Sequence, residues 1–516
     1  MNSRTASFLS VALVLLGALG TTALRKPECP PMRNLVASDR DGLVEIPEAE
    51  MVLVRSPWEL QAAIKEREAR QGDLILMADL ETGPGLIFGF GERFQPPGAL
   101  AAAGDPDLIA AVGQYYGQAF ALAGFDIVTA PVADLYKGSS AVGWRAMGST
   151  LETALPRLEI MVKALAKGGA LPVIKHYPGH GGASGDTHHS LATIELPWEE
   201  FQREDLEVFS RLCQLDETAG VMLGHLRGSR NHALGWPAEA RGLTMTSPYW
   251  MNVLRNEWNF NGLLVSDALG MRAAIAVMGG EAFVSSRFID LDGDLLLGMN
   301  HKTGAAQCGV RLYGCYHAKA MAESKSALRI TALKNRLRDQ RIRNRQLNGE
   351  EVLARGKSLA ATLATKSLLA EGNWKRPLVA SSMAYYTAFE MGLPGSETDY
   401  RATVEKLGYK PLGEYDFKTT DTPFLLVVYG LLSEPALTDA QMQVLAQRAA
   451  EGQLLGVVVC GWPGLIYDLK SRGIPALATW GASDACMKAA SAWLEGTEPA
   501  QGKWPYADEW KKATTP

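Results

Sequence analysis

Short apolar runs recur along the first 300 residues, and each ends on a charged or polar side chain: "DLILMADLE" (73–81), "FDIVTAPVADL" (125–135), "LPVIKHYPG" (171–179), "GVMLGHL" (220–226), "GLLVSDALGM" (262–271) and "DGDLLLGM" (292–299). A strand with one wet face alternates apolar and polar residues. Runs without alternation are buried on both faces, as in a parallel sheet covered by helices. Helical periodicity fills the intervals, as in "DPDLIAAVGQYYGQAFALAG" and "ALPRLEIMVKALAKGG", the second closing on glycine. The pattern predicts an α/β fold built on a (β/α) TIM-type barrel. The strand ends Asp79 and Glu81, Asp134, Lys175 and His176, His225 and Asp267 would then converge on the C-terminal face, where such barrels place their chemistry.

A chain of 516 residues exceeds one ordinary core. Past residue 300 the pattern changes to a basic helical stretch, "ALKNRLRDQRIRNRQ", and a long helix candidate, "GEEVLARGKSLAATLATKSLLAEG". Buried-strand patterns then resume in "RPLVASSM", "PFLLVVYGLL", "QLLGVVVCGWPG" and "IPALATWG". We expect a barrel over 31–345, a helical connector over 346–372 and a smaller C-terminal α/β sandwich domain over 373–516. Neither GxGxxG nor a Walker pattern is present, so no cofactor is expected.

The net charge of −5 lacks the basic footprint of a nucleic-acid partner. Six cysteines show neither a disulfide framework nor CxxC pairs, although Cys308 and Cys315 stand close enough in sequence to pair in an exported protein. Arg4 precedes the apolar run "FLSVALVLLGALG" (8–20), too short to span a bilayer comfortably and suited to a signal peptide over residues 1–30. The expected location is secreted or periplasmic, with no stable membrane insertion after signal removal and a membrane anchor if the segment stays. The oligomeric state is not legible.

Four of the eight histidines crowd into "KHYPGHGGASGDTHHSLATIELP" (175–197), a stretch with neither heptad nor strand period. Asp186 lies two residues before His188 in an irregular loop, near enough to fold back, fix the imidazole tautomer and raise its basicity. That makes His188 a candidate proton donor and acceptor. The competing reading is zinc bound by His176, His180, His188 and His189 with His225 and Asp267. Against it, "YPG" between His176 and His180 is no helical turn, and no HxH pair ends a strand. A purely turn-stabilising role is the third reading.

"KHYPGHG", four residues, "DTH", then "ELPW" resembles the KHFPGHG(x4)D[ST]H…LP signature of glycoside hydrolase family 3, in its β-N-acetylglucosaminidase branch. "LRNEWNFNGLLVSDALGM" is similar to that family's nucleophile segment, and "ADLETGPG", "GWRAMGST" and "VMLGHL" follow in family order. The departures are Gly182-Ala183 where the family has Asp-Thr, Ala268 where it has a second Asp, and a DxEGG segment lacking its second glycine and following Arg. The resemblance implies a retaining glycoside hydrolase acting on a carbohydrate: Asp267 the nucleophile, His188 with Asp186 the acid/base dyad, and Arg145, Lys175, His176 and Asp79 the groups that bind sugar hydroxyls. The implied substrates are β-linked N-acetylglucosaminides, either peptidoglycan fragments or chitooligosaccharides. A phosphorylase on the same scaffold and a catalytically weakened carbohydrate-binding protein are the alternatives.

Overall fold

The computed structural model describes residues 36–37, 50–139, 141–184, 191–271, 280–297, 325–376, 382–387, 410–412, 423–429 and 437–508. Through residue 266 its strands are Val36–Ala37 (β1), Met51–Val54 (β2), Ile75–Ala78 (β3), Ile127–Val128 (β4), Leu171–Tyr177 (β5), Ala183–Ser184 (β6), Ala192–Ile194 (β7), Gly220–Leu223 (β8), Leu226–Gly228 (β9) and Leu263–Ser266 (β10). Seven form one parallel sheet in chain order, β1-β2-β3-β4-β5-β8-β10. A parallel bridge from Val265 to Leu295 adds an eighth position. Sequential parallel order is the winding of a β/α barrel. Among the described residues no pairing joins residue 295 back to β1, so the sheet is a parallel half-barrel where the sequence predicted a closed one. "MVLV" (51–54) is a central strand that the sequence reading did not mark.

Strand side chains alternate between two apolar layers. Met51, Leu53, Ile75, Met77, Leu171, Val173, Leu263 and Val265 share one, while Val52, Val54, Leu76, Ala78 and Leu264 pack with the surrounding helices in the other. Helix α1 (Pro106–Ala123) starts on Asp105, whose carboxylate accepts from the Asp107 and Leu108 amides, and stops at Gly124. Helix α2 (Leu151–Gly168) opens with a Thr150/Thr153 capping box. The two cross so closely that a Cβ on Gly117 would lie 2.3 Å from the Leu165 carbonyl oxygen. Helix α3 (Lys325–Asn344) contributes Ile330, Leu333 and Leu337 to the inner layer. The cations of this basic stretch are partnered by acids: Arg341 binds Asp126 at 2.6 Å, and Arg329 binds Asp292 and Asp294 at 2.6 and 2.8 Å.

Helix α4 (Gly349–Lys366) leads into a second sheet of Leu369–Glu371 (β11), Ser382–Thr387 (β12), Lys410–Leu412 (β13), Phe424–Tyr429 (β14), Leu454–Val459 (β15) and Ala476–Ala478 (β16). Its order is β11-β16-β15-β14-β12-β13, parallel except for β11. It touches the first unit through Trp462, whose ring centroid is 5.1 Å from that of Tyr136, and through the Ala507 amide, which donates to Ser149 Oγ at 2.7 Å. No helix of the described residues is long and apolar enough to cross a membrane. Residues 1–30, Cys308 and Cys315 lie outside the described residues.

Candidate active site

Strands β3 and β5 bring four charges together at their C-terminal ends. Lys175 is 3% exposed, and its Nζ lies 2.7 Å from Asp79 Oδ1 and 2.9 Å from Glu81 Oε1. Arg145, on the 3₁₀ turn Gly143–Arg145, donates Nε and Nη2 to Glu81 at 3.0 and 2.6 Å and Nη1 to the Ala141 carbonyl at 2.7 Å. Burial opposes ionisation of Glu81, but the two cations outweigh it and hold the carboxyl well below the usual range. The same balance keeps Asp79 low, with Lys175 as its chief cation and Thr129 Oγ1 as a further donor. Burial likewise pulls on Lys175, and Asp79 and Glu81 overcome it, so the ammonium stays charged. The two acids balance the two bases, while Asp79, half-exposed, keeps an edge open to a ligand.

A second cluster sits beside the first. Asp134 accepts from His176 Nδ1 at 2.7 Å, from the His180 amide at 2.7 Å and from the His176 amide at 3.2 Å. The fixed Nδ1–H leaves His176 Nε2 for a ligand. His180 Nδ1 lies 3.3 Å from Ser139 Oγ, and its Nε2 is buried without a partner among the described residues. Burial pushes the His180 imidazole down despite Asp134, so it is neutral at pH 7.

Asp267 follows β10 directly and is half-buried. Its amide donates to the Leu223 carbonyl at 3.0 Å, and Oδ1 accepts the Ala268 amide at 2.7 Å. His225, at the end of β8, bonds the Ala268 carbonyl through Nε2 at 2.9 Å, while its buried Nδ1 has no partner among the described residues. One Asp267 oxygen is thus pinned by backbone, and the turn behind it is pinned by an imidazole.

Of the residues proposed from sequence, Asp79, Lys175 and Arg145 form one contiguous network, His176 stands next in chain to Lys175, and Asp267 occupies a strand end on the same face of the sheet. Asp186 and His188 lie outside the described residues, in the segment joining β6 to β7; His189 does too. Sequence reasoning placed Glu81 and Asp134 only as strand ends, gave no role to Ser139, and named His180 only as a competing zinc ligand or part of a turn-stabilising loop. Their signal was position: each acid closes an apolar strand run, while nothing local marks Ser139. No group of three or more His, Cys, Asp or Glu suited to a metal occurs among the described residues.

Strand-end carboxylates facing cations and oriented imidazoles gather at one end of the parallel sheet, where an α/β enzyme carries its site. Residues 53–307 match the glycosyl hydrolase family 3 N-terminal domain. A β-hexosaminidase of Methylococcus capsulatus is 32% identical over 251 residues, covering 48% of this chain and 72% of that protein. The chain belongs to glycosyl hydrolase family 3, whose members are O-glycosyl hydrolases, as the motif at 175–197 implied. Among solved structures, a family 3 β-N-acetylglucosaminidase from a Paenibacillus species superposes with a TM-score of 0.74 over 94% of this chain and 98% of that one, at 18% identity. The β-glucoside phosphorylase BglX superposes at 0.76 over 99% and 97%, at 17% identity. Both share the fold.

Proposed function

We propose that this chain is a retaining glycoside hydrolase that removes β-linked N-acetylglucosamine from peptidoglycan fragments or chitooligosaccharides. The observation that carries the reading is Asp267: its Oδ1 is held by the Ala268 amide, so Oδ2 is the oxygen available to attack the anomeric carbon. In the first step that carbon–oxygen bond forms as the glycosidic bond breaks, and His188 gives its proton to the leaving oxygen. In the second, His188 takes a proton from water, which displaces Asp267 and returns the sugar with its original anomeric configuration. Asp186 orients the imidazole and stabilises its charged form. Asp79, Lys175, Arg145 and His176 hold the sugar, since the Asp79–Lys175–Glu81–Arg145 network and the Asp134–His176 bond fix hydrogen-bonding edges in place before substrate arrives. In this reading the parallel sheet closes into a barrel, the second sheet belongs to a C-terminal sandwich domain beginning near residue 373, and residues 1–30 direct export.

The test is a panel of nitrophenyl glycosides with and without phosphate. Hydrolysis of the β-N-acetylglucosaminide, independent of phosphate and with retained configuration, is expected. Release of a sugar 1-phosphate would make the protein a phosphorylase instead, and binding without turnover would make it a lectin-like relative. Export is checked by N-terminal sequencing: mature protein starting between residues 21 and 30 is expected, and full-length protein confined to the cytosol would overturn it.

A further inference from the structure

Asp205 is a buried charge that the sugar-binding network does not use. It lies in the π turn Gln202–Leu206, is 1% exposed, and has Lys137 Nζ 3.0 Å from Oδ2. Lys137 also reaches Glu200 at 2.9 Å. Both residues press on the turn that follows β5. The amides of Lys137 and Ser139 donate to the Gly181 carbonyl at 3.1 Å each. A Cβ on Gly181 would collide with the Leu135 carbonyl oxygen, and one on Gly179, at φ +136°, would come within 3.1 Å of Asp205 Cβ. Residues 179–181 are thus clamped between the 134–139 loop and the π turn. Two residues on, β6 begins its antiparallel pairing with β7, Ala183 opposite Ile194. The chain between those strands contains Asp186 and His188.

We infer that Lys137 and Asp205 are a positioning pair, which holds the root of the β6–β7 hairpin in the register that the His188 proton transfers require. The inference rests on the function proposed above. Burial pushes the Asp205 carboxyl up to about 6 against the pull of Lys137, and the nearby carboxylates Asp134 and Glu200 push the same way. A carboxyl raised on folding stabilises the fold when protonated and loses that contribution as pH rises through the folded value, here near 6. At neutral pH ionised Asp205 therefore works against stability, which a purely structural residue has no reason to do. Below 6 it protonates and Lys137 keeps only the charge of the half-exposed Glu200, so the charge pairing that sets the geometry of the pair is lost while the fold itself gains.

The experiment compares Asp205→Asn, Lys137→Met and Lys137→Arg with wild type. On a glycoside with a poor leaving group, Asp205→Asn and Lys137→Met should lower kcat roughly ten- to a hundred-fold with little change in KM, because small misplacements of an acid/base group are that costly. The loss should shrink with a dinitrophenyl leaving group, and Lys137→Arg should recover most of it. Asp205→Asn should fold with equal or higher Tm at pH 7.5. By the same linkage, amide-exchange protection over residues 179–184 and 191–194 should rise as pH drops through about 6 in wild type but not in Asp205→Asn. Wild-type kcat and pH profile in both Asp205→Asn and Lys137→Met, with only Tm changed, would overturn the inference. Should the wild-type protein turn over no glycoside, the function reading fails and exchange alone decides: an inflection near 6 supports the pair, and flat protection sinks it.

Discussion

The parallel sheet carries buried ion clusters at both ends, and they are built differently. At the N-terminal end, Asp126 binds Arg341 and Arg67 and also accepts the Leu76 amide, and Asp294 binds Arg255 and Arg329 and accepts the Leu264 amide. These carboxylates tie strand backbones to one another and to helix α3, with their lone pairs filled. At the C-terminal end, Asp79 keeps an open edge, and His180 Nε2 and His225 Nδ1 are buried without a partner among the described residues. Burying an unpaired polar atom destabilises by about 1–3 kcal/mol, so a fold selected only for stability fills such valences. The end whose carboxylates are saturated holds the sheet together, although Arg255 Nε there also lacks a hydrogen-bond partner among the described residues; the end whose imidazoles keep spare nitrogens beside an open carboxylate is the one suited to a ligand.

The sharpest break of this contrast is Asp267→Ala. It removes the proposed nucleophile, so turnover of a nitrophenyl N-acetylglucosaminide should fall on the order of 10⁴-fold or more. Tm should barely move, because the half-buried side chain makes one local backbone contact. Near-normal activity would move the nucleophile to Asp79, Glu81 or Asp134.

Next in size is His188→Ala, with a loss of about 10²- to 10⁴-fold that is greatest for poor leaving groups, since an activated phenol needs little protonation. The variant should accumulate glycosyl-enzyme, and azide should rescue its breakdown. Asp186→Ala should repeat the pattern more weakly. Equal losses in the His176, His180, His188 and His189 variants, partly restored by zinc, would replace the dyad with a metal site.

How far these residues were legible follows from what kind of signal each left. Asp267, Lys175 and His176 end continuous apolar runs, and a run buried on both faces fixes both the strand and the position of its end, so convergence on one face was readable. Glu81 and Asp134 ended runs too, but their partners, Arg145 and His176, come 64 and 42 residues later, and pairing over that span is a property of the barrel winding rather than of local pattern. The partners of the basic helix α3 were hidden for the same reason: Asp126, Asp292 and Asp294 lie far off in sequence. "MVLV" was too short to register as a run.

A matched pair of variants tests the two ends against each other. Arg341→Met should lower stability by about 1–3 kcal/mol, because it leaves the buried Asp126 carboxylate with only the more distant Arg67 as a cation, yet leave kcat of the folded fraction nearly unchanged. Glu81→Gln should do the reverse in emphasis, lowering kcat/KM about ten- to a hundred-fold by loosening Arg145 and Lys175. The pH dependence gives the sign. Glu81 is held below its ordinary range on folding, so its contribution is present above about pH 4.5 and is lost as pH falls toward the depressed folded value. The Tm gap between wild type and Glu81→Gln should therefore be constant from pH 6 to 8 and narrow below 4. A gap that widened in acid would mean that Glu81 is not the ionised partner of Arg145 and Lys175.

The smallest expected effect falls on Ser139→Ala. The hydroxyl lies 3.3 Å from His180 Nδ1, and no other side chain among the described residues bonds that atom. Removing it leaves His180 with both ring nitrogens unpaired in a buried site, a loss of about 1 kcal/mol if a water does not enter. If the unpartnered Nε2 serves the sugar site, the loss of tautomer control should show in KM for the sugar, a rise of about three- to five-fold with kcat held, because a neutral imidazole presents a donor or an acceptor according to which nitrogen is bonded behind it. Ser139→Thr, which keeps the hydroxyl, should restore KM. A Tm change with KM unmoved would place His180 with the saturated, structural charges of the opposite end, and the division between the two ends would have to be redrawn between Asp134 and its two histidines.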